Sequence, residues 1–179
     1  MNKKKKQAWI EKGYTLVAEK GFKSLSINVI CRMMDKSKSS FYHYFGDLEM
    51  FEEDLVKYHL ERAHGFAASI DNCHRADPNF IAVLLDHKLD IFFYKAFRMQ
   101  GRGPIFDHYH QKIFDLYEGA ILEKWAVHFD LENKMMLLAQ FNKFLSEHFI
   151  LSISFDNYTH DWVKNYLKEV SELVRQMKM

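Results

Sequence analysis

An all-helical fold is predicted by three features of the sequence. Two prolines and seven glycines in 179 residues leave few obligatory breaks. Apolar residues recur at spacings of three and four along most of the chain rather than alternating, which is the helical period. Aromatic residues make up 16% of a chain that is 48% hydrophobic, and so many rings demand wide apolar surfaces. The expected layout is a three-helix unit over residues 1–47 followed by a helical bundle over 48–179.

The first helix is expected from about Lys6 to Lys20, with Trp9, Gly13, Leu16 and Val17 on one face and Gly21 as its stop. Gly13 on that buried face admits a close neighbour. Ser26 is a suitable N-cap for a short helix that buries Ile27, Ile30, Cys31 and Met34. A turn at Asp35-Lys36 follows. Ser37 then caps a second short helix with Phe41 and Phe45 one turn apart, leaving Lys38, Ser39, Ser40, Tyr42 and His43 on its other faces.

Gly46 and Asp47 form the next turn and cap, and a long helix runs from about Leu48 to Ile70. The polar stretch Asp71–Asp77 reads as a linker, and Asp77-Pro78 as a cap with proline at the first helical position. One helix is expected from there to about Met99, ended by Gly101-Arg102-Gly103-Pro104. Aromatic helices follow from Ile105 to about Phe129 and from Leu131 to about Phe155. The last, from about His160 to Met177, carries Val163, Leu167, Val170 and Val174 in a seam widened by Trp162 and Tyr166.

Charge is distributed unevenly. The net value is +1, but residues 1–50 hold ten basic against five acidic groups, and the remainder fifteen against nineteen. A basic N-terminal unit suits phosphate, and a lysine run such as Lys3–Lys6 also suits a plain solvated tail. No run of about 18 apolar residues exists, so neither a membrane span nor membrane partner is expected, and the chain reads as cytoplasmic. Cys31 and Cys73 match no metal or disulfide spacing, in keeping with a reducing compartment.

Two short helices joined by a tight polar turn fit both an ordinary helical hairpin and a helix-turn-helix, whose second helix enters the DNA major groove. The flanking residues discriminate. Trp9-Ile10, Gly21-Phe22, Ser26-Ile27, Ile30-Cys31, Ser37 through Phe45 and Asp47-Leu48-Glu49-Met50-Phe51 together resemble the N-terminal domain of the tetracycline-repressor (TetR) family of transcription regulators. The resemblance covers about the first third of the chain without gaps.

It implies a DNA-binding domain at 1–47 and an effector-binding and dimerisation domain at 48–179. It also implies a homodimer on a palindromic double-stranded DNA operator, with repression as the default and release by a small apolar or aromatic effector. Carried over by position, Ser26, Ser37, Lys38, Ser39, Ser40, Tyr42, His43 and Tyr44 would contact DNA. Phe92, Tyr109, Phe141 and Phe144 are candidate effector-pocket walls, and Trp162, Val163, Tyr166, Leu167, Val170 and Val174 a candidate dimer interface. The stripe on the last helix equally fits closure of a monomer core. The family's turn usually carries glycine and then an apolar residue, where this chain has Asp35-Lys36, and many members carry a backbone-contacting lysine at the position of Leu48.

No cofactor, metal or catalytic residue is expected. Phosphate-cradling glycine loops, nucleophile elbows and metalloprotease helices are missing from the sequence. The one tempting acid/base or metal cluster is Asp107, His108 and His110, with His87, His128 and His148 scattered elsewhere. The alternative reading, prompted by Asp35, Lys36 and Leu48, is a TetR-like regulator that works through a protein partner with weak or no direct DNA recognition.

Overall fold

The structure, a computed structural model, describes residues 2–73, 79–128 and 135–177. Among these every regular element is helical: α1 (Asn2–Lys20), α2 (Ile27–Met34), α3 (Lys38–Phe45), α4 (Leu48–Asp71), α5 (Ile81–Asp86), α6 (Lys88–Gln100), α7 (Pro104–His128), α8 (Met135–Ser152) and α9 (His160–Met177), with a single 3-10 turn at Phe22–Ser24. No helix among the described residues is long and apolar enough to cross a membrane. The expected cap at Asp77-Pro78 and the start of a helix at Leu131 lie outside the described residues.

Three boundaries differ from the expected ones, one of them the end of α8, which stops at Ser152 short of Phe155. Helix α1 begins at Asn2 rather than Lys6, so Lys3–Lys6 form its first turns instead of an arm. Lys6 is held there by an ion pair with Asp54 at 2.6 Å and by the face of Phe45. The single helix expected up to Met99 is divided at His87, whose N–H donates to the Val83 carbonyl at 3.0 Å before α6 begins. Neither glycine nor proline marks that break.

The chain forms two compact units, Met1–Arg62 with Leu89–Lys112, and Ala63–Lys88 with Ile113–Met179; α4 and α7 each contribute residues to both. In the first, the apolar faces of α1 to α4 converge on Trp9, Val17, Ile30, Phe41, Phe45, Phe51 and Leu55, all buried. Trp9 meets the edges of Phe41 and Phe45 at centroid distances of 5.8 and 6.3 Å, and Phe51 closes on both phenylalanines from α4. Burying one such ring contributes about 1.5–3 kcal/mol. At Gly13 the Phe51 ring of α4 lies against α1: a Cβ there would be 2.5 Å from that ring.

In the second unit Phe66 stacks on Tyr117 at 4.7 Å. Leu145 packs with Tyr166, Val170 and Val174 of α9, flanked by Phe141, Phe149, Trp162 and Leu167. Tyr158 donates to the Leu84 carbonyl at 3.0 Å and Lys88 to the Phe155 carbonyl at 2.7 Å, which fastens the α8–α9 connection to α5 and to the first residue of α6. Burial pushes the Tyr158 hydroxyl well above the usual tyrosine range, so it remains a donor.

Candidate nucleic-acid interface

Helices α2 and α3 owe their short, sharply defined lengths to side-chain caps. Ser26 Oγ accepts from the Val29 N–H at 3.3 Å, and Ser37 Oγ accepts from the Ser40 N–H at 3.3 Å. Each such cap stabilises its helix by about 1 kcal/mol. Asp47 caps α4 in the same manner, its carboxylate accepting from the Met50 N–H at 2.8 Å. The charge of Asp47 also complements the positive end of the helix dipole.

The α2–α3 turn is closed by Asp35 in the left-handed conformation, φ 52° and ψ 50°. Its N–H donates to the Arg32 carbonyl at 3.2 Å, and the Lys36 N–H reaches back to the Cys31 carbonyl at 3.0 Å. This pair of bonds is the Schellman arrangement, which ordinarily has glycine at the left-handed position. Asp35 therefore takes a conformation that glycine ordinarily occupies, at the cost of steric crowding around its Cβ. The turn closes in the glycine-type geometry without a glycine.

Phe41 and Phe45 fix the rotation of α3 about its own axis, because both are buried to within 1% of their surface. Ser39 and His43, one turn apart on the opposite side, are exposed. Lys38 and Tyr42 form a second exposed pair along one flank, Tyr42 with 49% of its surface accessible. Ser40 and Tyr44 form the other flank and are half-buried, Tyr44 against the Trp9 ring at 6.4 Å. The result is a ridge of hydrogen-bond donors with an amine at its N-terminal end.

The eight residues anticipated at this surface thus divide into two groups. Lys38, Ser39, Tyr42 and His43 present their polar atoms outward. Ser26 and Ser37 use their hydroxyls as caps, Ser40 shares its hydroxyl with Ser37 at 3.2 Å, and Tyr44 leans on α1. Exposed Arg32, Lys36 and Lys3–Lys5 add positive charge to the same unit.

The other anticipated residues fall as follows. Phe92 is buried in the first unit, where Tyr109 is half-buried beside His108. Phe141 belongs to the α8–α9 cluster of the second unit, and Phe144 on the same helix is 65% exposed. On α9, Val163, Tyr166, Val170 and Val174 are buried within one chain, with Trp162 and Leu167 half-buried against them. No group of three or more His, Cys, Asp or Glu side chains suited to a metal ion occurs among the described residues.

One feature of the first unit has no local signal in the sequence. Tyr14 of α1 donates its hydroxyl proton to Asp90 of α6 at 2.8 Å, and its oxygen lies 2.7 Å from His59 Nδ1 of α4. Since the hydroxyl has one proton and the carboxylate only accepts, His59 carries its proton on Nδ1 and donates it to Tyr14. Arg62 grips Asp90 through two nitrogens, Nη2 at 3.0 Å from Oδ2 and Nε on Oδ1. Asp90 sits in the first turn of α6, where the helix dipole favours its charge. Burial holds His59 neutral, lowering its pKa to about 3 against the opposing attraction of Asp90.

In comparisons with protein-family models, curated proteins and solved structures, nothing matches this chain.

Proposed function

We propose that this protein is a dimeric DNA-binding transcriptional regulator of the TetR type, in which α2 and α3 act as a helix-turn-helix and α3 enters the major groove. The observation that carries this reading is the outward donor ridge of α3, held at a fixed rotation by Phe41 and Phe45 and preceded by a glycine-type turn. A structural hairpin has no need of five polar groups in the six residues from Lys38 to His43.

On this reading Ser39 and His43, at the crest of the ridge, reach base edges, and Lys38 and Tyr42 on its flank hold phosphate. The lysine-bearing first turns of α1 and the exposed Arg32 and Lys36 supply further phosphate contacts. Leu48 supplies none, so the salt dependence of binding rests on these cations.

The partner in the dimer is a second copy meeting α8 and α9. Met136, Phe144 and Leu151 are 81%, 65% and 63% exposed and recur at intervals of eight and seven along one face of α8; Leu173 on α9 is 51% exposed. Much of the seam expected to face the partner is already occupied within the chain, so these four residues, with Trp162 and Leu167, are the better contact set. Regulation is by population shift: an apolar or aromatic effector favours one arrangement of the two heads, and repression of the target gene is relieved. The effector step rests on the family resemblance.

Selection of bound duplexes from a random DNA pool tests the reading. Recovery of a palindrome with two half-sites supports it. Recovery of unselected sequence alone, at low and moderate salt, rejects direct operator recognition and favours the protein-partner alternative.

A further inference from the structure

The buried cluster of Tyr14, His59, Arg62 and Asp90 is a costly way to fill an apolar interior, because well-packed hydrophobic residues of similar volume stabilise a fold at least as well as a buried ion pair. What such a cluster adds is direction. Apolar faces tolerate sliding and rotation, whereas a hydroxyl held between a carboxylate and an imidazole has one register.

Helix α1 is the element on which that register acts. Two turns into it Trp9 touches Phe41, Tyr44 and Phe45 of α3, and little more than a turn later Tyr14 is bonded to Asp90 and His59. Apolar contacts of α6 accompany that bond. Phe93 stacks on the Tyr14 ring at 4.3 Å and meets the edge of Phe22 at 5.4 Å. At the far end of α6 the Lys23 N–H reaches the Gln100 side chain at 3.5 Å, a long bond. The Tyr14 hydroxyl is thus a short, directional link between α1 and α6, beside the Arg62–Asp90 pair that joins α4 to α6.

We propose that Tyr14 and Asp90 are positioning residues that fix the rotation of α1 on α4 and α6, and through Trp9 the direction in which the α3 ridge is presented. The proposal rests on the reading of α3 as a DNA reader, since its consequence for function is the geometry with which paired ridges meet paired half-sites. A rotation of α1 alters the spacing at which both ridges of a dimer engage the duplex together, while leaving the residues that read each half-site unchanged.

Tyr14→Phe is the sharpest probe because it keeps the stacked ring and removes only the hydroxyl; Asp90→Asn removes the charge and keeps the shape. Two readouts are used on the full chain. In the free protein, amide hydrogen exchange of Tyr14→Phe is expected to rise about tenfold in Gly13–Lys20 and Leu89–Phe97 and to stay unchanged in α8. In a selection from DNA libraries with variable spacers, the wild type is expected to return one half-site spacing, and both variants the same half-sites over a spread of spacings.

A merely structural role would lower thermal stability without altering the spacing preference. Variants that are folded and return the single wild-type spacing overturn the proposal, as does an exchange pattern unchanged in α1 and α6. If the wild type selects no DNA while the exchange response appears, the DNA reading fails and the fixing of α1 stands.

Discussion

The Tyr14 hydroxyl and the Asp90 carboxylate, 76 residues apart in sequence, meet at 2.8 Å in the buried interior of the first unit. Asp90 is fully buried and Arg62 about one-third exposed, so the pair is half in water. Removing Asp90 leaves Arg62 able to turn towards solvent, which moderates the usual penalty for breaking a buried pair. Asp90→Ala is expected to cost about 2–4 kcal/mol, read as a lower urea midpoint with the slope unchanged. A change below about 0.5 kcal/mol contradicts the assigned pairing.

His59 makes stability depend on acid. Its pKa is lowered to about 3 in the folded chain from an ordinary value of 6.5, so the unfolded chain binds a proton that the folded one refuses. Stability from this group is complete above pH 6.5 and falls as pH drops towards 3, by about 1.4 kcal/mol per unit. Unfolding curves at pH 7.5, 6 and 5 should show the loss. In His59→Gln the slope attributable to this residue should vanish, and an equal slope in the variant contradicts the buried neutral assignment.

Asp35 holds the one left-handed non-glycine conformation among the described residues. Asp35→Gly is expected to raise stability by about 0.5–1 kcal/mol, since relief of Cβ crowding outweighs the added freedom of the unfolded chain. Asp35→Val, branched at Cβ, should lower it by about 1–2 kcal/mol. The glycine variant should also bind DNA more tightly, having lost a negative charge beside Lys36 and Lys38. Thermal melts and anisotropy titrations on one selected duplex measure both effects.

The exposed apolar face of α8 predicts the oligomeric state. Phe144→Asp with Leu151→Asp is expected to convert a dimer to a monomer at micromolar concentration, because burying each side chain contributes about 1.5–3 kcal/mol and a charge there cannot be buried unpaired. Helical content should remain, as neither residue belongs to the monomer core. Sedimentation equilibrium decides it, and a wild type that is already monomeric contradicts the assigned face.

Much of the local architecture was legible in the sequence. Ser26, Ser37 and Asp47 are all observed as helix caps; in α3 Phe41 and Phe45 are buried as expected, whereas in α2 Ile30 and Cys31 are buried and Ile27 and Met34 only half-buried. The break at His87 was not legible, because no glycine or proline produces it. The seam on α9 shows a deeper limit: the pattern of Val163, Val170 and Val174 demands burial but is the same whether the covering helix belongs to one chain or to its partner. The Tyr14–Asp90 contact had no signal, since tyrosine on an amphipathic helix and aspartate in a first turn are each ordinary by themselves. Of the candidate interface, composition supplied the donors of α3, and only burial of Phe41 and Phe45 separated crest from flank.

The most direct measurement is a binding titration on the selected duplex and on a scrambled one, at two salt concentrations, for the wild type, His43→Ala and Lys38→Ala. His43→Ala is expected to weaken specific binding by about 1–3 kcal/mol and to leave scrambled binding unchanged. Lys38→Ala is predicted to weaken both equally and to reduce the salt slope by about one unit. Variants indistinguishable from the wild type on both duplexes would contradict the claim that the exposed ridge of α3 reads DNA.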